Sequence, residues 1–275
     1  YTDLDENFFA ATGFVPRVGI RRLEQRLHWR IWPEGDVVQR WGPNAWIEAT
    51  WDREGERLDF TYNPWLGFQL AGNTRTGVFL WGQQTRLRPI DFPTLGVDRE
   101  YDHRVVGFWL ESQLLSWLQI DTWTNRGTRI NFVPAPDAAP EVGPSREGRV
   151  RVDVRPDDRV RTAFSWLYSS LDDPAGEERV FRSDIFRLRF DYQADRRLSF
   201  RMIGQYERLD VDPRHTRLEE SRNLNFDLLA TYLVNPWTSL YVGYNRNARN
   251  LELLSHDGAN VLRRTGGSLH GDAHQ

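Results

Sequence analysis

The sequence predicts an all-β chain folded as an antiparallel up-and-down meander of about a dozen strands, a transmembrane β-barrel that need not be complete. Three observations carry that expectation. Long stretches alternate apolar and charged residues with a period of two, as strands with two unlike faces do. From residue 101 onward, short connections alternate with longer polar ones, as in a barrel with tight turns at one rim and loops at the other. Tryptophans stand beside the expected strand ends, where membrane barrels carry aromatic girdles.

The first strand lies in "NFFAATGFVPRVGIRRLEQRLHWRIWPEG", residues 7 to 35. Leu23, Leu27, Trp29 and Ile31 fall on one face, and Arg22, Glu24, Arg26, His28 and Arg30 on the other. Over the first hundred residues the connections "DREGER" and "GNTRTG" are both short, so the alternation is less defined there. Later, Val150, Val152 and Val154 oppose Arg149, Arg151, Asp153 and Arg155, and after the turn "RPDD" a similar face continues through Val160, Thr162, Phe164, Trp166 and Tyr168. Phe186, Leu188, Phe190 and Tyr192 oppose Arg187, Arg189 and Asp191. Phe200, Met202 and Tyr206 alternate with Arg201, Gln205 and Glu207. The last pair places Phe226, Leu228 and Tyr232 before the turn "NPWT" and Leu240, Val242 and Tyr244 after it. Tight turns at "RPDD", "QADR" and "NPWT" carry the Pro, Asn and Asp that close turns, while longer connections fall at 133–148, 172–179 and 208–222. Residues 1–255 are expected to form the barrel domain and 256–275 a flexible Gly/His-rich tail.

Composition narrows the function classes. Among 275 residues 27% are charged, mean hydropathy is -0.64, and no uncharged apolar stretch of helix-spanning length occurs, which excludes a transmembrane helix. All 36 basic residues are Arg, against 39 acidic ones, for a net charge of -3; a nucleic-acid partner, which needs a basic stripe, is not expected. Arg without Lys fits a GC-rich genome, and it also fits a wall of bidentate ion pairs. With no Cys, neither a disulfide framework nor a thiolate metal site is available. The chain opens on Tyr1 without a secretory leader of its own, which leaves a cytoplasmic protein or a piece of a longer one.

Alternation alone does not say which face meets what. In a soluble sandwich the apolar face enters a core; in a barrel it meets lipid and the charged face lines the lumen. The barrel is favoured by Trp32, Trp41, Trp65, Trp117 and Trp237, read as an aromatic girdle, and by hairpin arms longer than usual soluble strands, as over 180–208. Closing the sheet also removes its exposed edges. On the charged face stand Arg26, Arg30, Glu48, Asp52, Arg57, Asp59, Arg151, Asp153, Arg187, Arg189, Asp191, Arg201 and Glu207. Mixed signs at this spacing give cross-strand pairs that stiffen a wall, and a local Arg surplus favours anionic solutes.

The stretches "NFFAATGFVPRVGIRR" and "LLATYLVNPWTSLYVGYNRN" resemble a large bacterial envelope family in which a secreted domain similar to family-nine carbohydrate-binding modules precedes an outer-membrane β-barrel. The resemblance implies an envelope barrel, in contact with the lipid bilayer and, through the preceding domain, with glycan; it implies no catalytic residues. Two departures stand out. The sugar-binding-like domain and first barrel strands precede Tyr1 in that family, and "LRRTGGSLHGDAHQ" lacks a final amphipathic strand with a terminal aromatic. If the chain is a truncated piece of a barrel, it is not expected to close alone.

Candidate chemistry is sparse. Asp102 with His103, Asp212 with His215, and His256 with Asp257 pair a carboxylate with an imidazole, as acid–base work requires, but no Ser stands in a GxSxG context. His270 and His274, with Asp272 between, have ligand spacing on a helix, which a Gly-rich segment does not sustain. The expectation is thus no enzyme, no metal and no cofactor. An outer-membrane barrel serving as channel or membrane anchor is expected first. A soluble periplasmic all-β binding module is the alternative, with a hydrolase using a loop Asp/His pair third.

Overall fold

The structure, a computed structural model, describes residues 1–8, 18–256, 259–264 and 269–271. Every regular element among them is a strand. The first seven are β1 (Thr2–Leu4), β2 (Ile20–His28), β3 (Val38–Trp51), β4 (Arg57–Leu70), β5 (Thr74–Leu87), β6 (Arg99–Leu115) and β7 (Leu118–Ile130). They are followed by β8 (Val142–Asp157), β9 (Val160–Asp172), β10 (Arg179–Gln193), β11 (Leu198–Val211), β12 (Ser221–Asn235) and β13 (Thr238–Arg249). β14 (Leu251–His256), β15 (Ala259–Arg264) and β16 (His270–Gly271) complete the chain. From β1 to β13 each strand pairs antiparallel with the next in chain order, the up-and-down meander that the periodicity predicts. β16 adds to β13, and β14 pairs with β15 in a separate hairpin, so part of the segment expected to be a tail is paired strand.

Connections sort by rim along the whole chain. At one rim lie 29–37, 71–73, 116–117, 158–159, 194–197 and 236–237; at the other lie 52–56, 88–98, 131–141, 173–178 and 212–220. Side-chain oxygens shape the tight turns. Asp157 Oδ1 accepts the N–H of Arg159 and Val160, Asp195 Oδ1 those of Arg197 and Leu198, and Asn235 Oδ1 that of Trp237. These backbone donors also hold the Asp195 carboxyl below its ordinary pKa. The 71–73 turn instead uses positive φ, 68° at Gly72 and 49° at Asn73, the backbone hand that suits a twisted hairpin.

The sheet forms a single layer. Its accessible surface of 18325 Å² compares with about 12,000 Å² for a compact protein of this mass. The buried apolar cluster sits at the loop rim, where Leu87, Leu95, Tyr101 and Ile130 pack with Phe92, Ala139 and Val142. Among the described residues no ladder joins β1 or β2 to β13, so the sheet is open.

Candidate functional site

The ladders fix which residues share a face. One row runs Ile120, Val152, Phe164, Leu188, Gly204 and Phe226 from β7 to β12; the adjacent row, on the other face, runs Asp121, Arg151, Ser165, Arg187, Gln205 and Asn225. Burial is inverted between these faces over most of the sheet, Ser170 and Asp184 being buried on the apolar face near the loop rim. Thr50, Thr61, Thr85, His103, Asn125, Ser145 and Asp153 lie on the polar face and are buried, whereas Val78, Val106, Leu228 and Val242 on the apolar face are 43–64% exposed. The sheet therefore curls with its polar face inward.

Inside the curl, charges interlock. Asp153, 4% exposed, accepts hydrogen bonds from both Arg151 (2.8 Å) and Arg161 (2.9 Å). Arg189 bonds Asp191 (2.7 Å), which stands in register with Arg161 and Arg201. Arg26 bonds Glu24 (2.8 Å), Arg22 approaches Glu48 (3.7 Å), and Asp59 stands between Thr50 and Thr85. Glu207 accepts from Gln205 (2.6 Å) and Asn223 (3.2 Å). Arg187 and Arg201 make no ion pair with the described residues.

Three expected members of this lattice lie elsewhere. Arg30 falls beyond the end of β2, which stops at His28. Asp52 caps the β3–β4 turn, accepting the N–H of Glu56 (2.7 Å). A register shift between Thr50 and Trp51 turns Arg57 outward, over the Phe60 ring (5.8 Å) toward Gln84 and Glu100.

The polar face also carries an aromatic-walled pocket of about 440 Å³, lined by Asn63, Trp65, Phe79, Trp81, Trp109 and Arg129 among others. Trp81 stacks on His103 with centroids 5.2 Å apart, and the Arg129 guanidinium lies 4.4 Å from the Trp81 centroid while pairing with Glu147 (3.3 Å). Glycine makes room for these rings. A Cβ on Gly77 would come within 2.8 Å of Trp109 Nε1, and one on Gly107 within 2.2 Å of Phe79 Cζ; each glycine is the ladder partner of the other's neighbouring ring strand, Gly77 opposite Trp109 and Gly107 opposite Phe79. Trp65, expected in the girdle, belongs to this inner pocket instead: it stands in register with Asn44 and Phe79, on the polar face. Trp41 lies on the apolar face, stacked on Phe68 (6.3 Å). Trp32, Trp117 and Trp237 are exposed in connections at the tight rim.

At the loop rim two connections four strands apart are tied together. Thr216 Oγ1 donates to Val133 O (2.6 Å), Arg217 Nε to Pro134 O (3.1 Å) and Asn131 Nδ2 to His215 O (2.9 Å), and Pro134 and Thr216 form an isolated β-bridge. The 173–178 connection joins through Glu178, which meets His215 Nε2 (2.8 Å) and Arg214 (3.1 Å), while Arg214 also bonds Asp212 (2.6 Å). That guanidinium, through its side-chain bond first, holds the Asp212 carboxyl down at about 2. The expected Asp212 and His215 are thus neighbours, but each is engaged with Arg214 or Glu178. Ligand-type atoms of Glu178, Asp212 and His215 lie within 4.8 Å of one another; a cation there would have to displace Arg214. Asp102 and His103 face opposite sides of β6, and neither imidazole nitrogen of His103 has a hydrogen-bond partner among the described residues. Asp257, Asp272 and His274 lie outside the described residues, so the pairs built on them have no described geometry.

No family model matches the sequence, and no curated protein matches it. Among solved structures, the chain is similar to the CymD monoaromatic hydrocarbon channel, at 11% identity and a TM-score of 0.29 over 84% of this chain and 81% of that one. It is also similar to a Pseudomonas aeruginosa FadL homologue, at 9% identity and a TM-score of 0.32 over 87% of this chain and 73% of that one. Likenesses at this level assign no substrate to the chain.

Proposed function

We propose that this chain forms the wall of an outer-membrane β-barrel channel, with the apolar face in lipid and the polar face around the lumen. The inverted burial carries the reading. A continuous apolar face left uncovered by any second layer costs about 25 cal/mol for each Å² kept in water, and a bilayer removes that cost. A polar, ion-paired lining is what a water-filled lumen needs. Backbone groups inside the sheet are already paired, as a bilayer demands, and the two open edges are the groups a closed barrel would join. Arg187 and Arg201, which make no ion pair with the described residues although Arg201 stands opposite Asp191, favour small anions. The finer reading, in which the barrel also anchors a secreted glycan-binding domain, is supported by the resemblance of the two quoted stretches alone.

The test is membrane fractionation of the full-length gene product, followed by gel mobility with and without boiling. A membrane band that shifts on heating, and anion-selective conductance after reconstitution into a planar bilayer, are expected. Recovery in the soluble fraction without detergent and without a shift would overturn the proposal in favour of a soluble binding module.

A further inference from the structure

We propose that the apolar face holds a specific site for one anionic phospholipid, its acyl chains in a groove across β3 to β6 and its phosphate on Arg104, Arg126 and Arg146. The inference rests on the membrane reading above and goes beyond it, because a generic lipid contact needs neither a groove nor a charge cluster.

The groove has a volume of about 760 Å³ and is lined on the apolar face by Pro43, Pro64, Leu66, Val78, Leu80 and Phe108, a size in the range of about 300–1,000 Å³ that ligand sites occupy. Its local cause is Pro64. Lacking an N–H, it cannot complete the β4–β5 ladder, and Asn63 Nδ2 takes the Leu80 carbonyl instead (2.8 Å). At the loop-rim end the groove reaches Arg126. Arg126 stands directly opposite Arg146 in the β7–β8 ladder, and Arg104 lies beside Thr128, one step further toward the loops. All three guanidiniums are exposed on the apolar face, and none makes an ion pair with the described residues; Asp102, on the same face two residues from Arg104, pairs with none of them. Like charges directly opposed across a ladder repel. Elsewhere on this face Arg182 is neutralised by Asp184 (2.8 Å) and Arg208 by Asp210 (2.6 Å), while Arg246, opposite Phe226, stands singly without an ion pair among the described residues. Three unneutralised guanidiniums at the mouth of an apolar groove are complementary to a phosphodiester with acyl chains attached, since arginine binds phosphate oxygens with paired, charge-assisted hydrogen bonds.

The experiment uses the full chain, refolded into phosphatidylcholine vesicles with and without phosphatidylglycerol, then extracted in mild detergent and examined by native mass spectrometry for retained lipid. Wild type is expected to retain phosphatidylglycerol over phosphatidylcholine. The combined variant Arg104→Gln, Arg126→Gln, Arg146→Gln should lose that preference by at least about tenfold, while the Arg-to-Lys variant at the same positions keeps most of it. Val106→Trp, at the groove wall, should weaken retention with the charges intact. Equal retention by wild type and the Gln variant, or displacement of the lipid by inorganic phosphate alone, would overturn the site while leaving the membrane reading standing. Failure of the wild type to enter either vesicle would overturn both.

Discussion

Leu228→Arg and Asn225→Arg place the same charge on opposite faces of β12, and the difference between them measures which face meets lipid. On the outer face of β12 the apolar run from Leu224 to Tyr232 covers about 26 Å of strand at ~3.3 Å per residue, or about 20 Å of height at a barrel tilt of about 40°. Leu228 sits at its centre, 43% exposed, with Met202 and Tyr244 as ladder partners. An arginine at that depth costs about 2–4 kcal/mol, equivalent to about 30- to 1,000-fold in the folding equilibrium. Asn225 faces inward between Gln205 and Asn247, with Asp227 and Glu207 on the same face. An added guanidinium finds acceptors there, and the expected cost is within about 0.5 kcal/mol, as for ordinary surface changes. The assay is equilibrium refolding into phosphatidylcholine vesicles against urea, read by tryptophan fluorescence and the heat-dependent gel shift. If Asn225→Arg cost as much as Leu228→Arg, or if Leu228→Arg were neutral, the assignment of the apolar face to lipid would be wrong.

Three further outcomes follow from the same geometry. Asp153→Asn leaves Arg151 and Arg161 sharing an uncharged partner; a loss of about 1–3 kcal/mol is expected, seen as a lower urea midpoint with an unchanged slope. Arg187→Gln with Arg201→Gln should reduce the anion preference of single-channel conductance without changing vesicle insertion, and an unchanged reversal potential would remove these residues from selectivity. Because the Asp212 pKa is depressed to about 2, its contribution to the loop tie is complete above the ordinary carboxylate pKa of about 3.9 and is lost as pH falls through about 2. Hydrogen exchange at the Arg214 amide should stay slow at pH 4 and quicken toward pH 2, and Arg214→Ala should move that loosening upward in pH.

The inner and outer faces of β8 to β13 were legible because charged and apolar residues alternate there almost without interruption, as in Val150 to Val154 and Phe186 to Tyr192. Their burial was not, since alternation is the same for a sandwich core and a lipid face, and only the absence of a covering layer separates them. β4 to β6 obscured their own pocket. "FTYNPWLGFQL", "TGVFLWGQQ" and "VVGFWLES" put aromatic rings on both faces, which dilutes the period-two signal and drew Trp65 toward the girdle. The usable signal was glycine: Gly77 and Gly107 each precede an aromatic by two residues or one, and each lies under a ring from the opposite strand. Arg57 turns outward at a bulge that no composition rule reveals, and Asp52 belongs to the connection "DREGER", where its carboxylate caps the turn although the alternation of β3 extends its charged face to that position.

The Pro134–Thr216 bridge has a bearing on how the molecule assembles. From β1 to β13 every ladder joins neighbours in chain order, so each hairpin can zip as soon as its own turn forms, at low contact order. The bridge instead spans residues 82 positions apart, and the chain between them is β8 to β11. Closing so long a loop carries an entropy cost that those four strands prepay only once they are in place. The ties among 131–141, 173–178 and 212–220 are therefore the last contacts to form. A protease present during refolding should cut these connections until late in the reaction, after the strands beneath them have become resistant, so that protection at this rim marks completed folding of the wall.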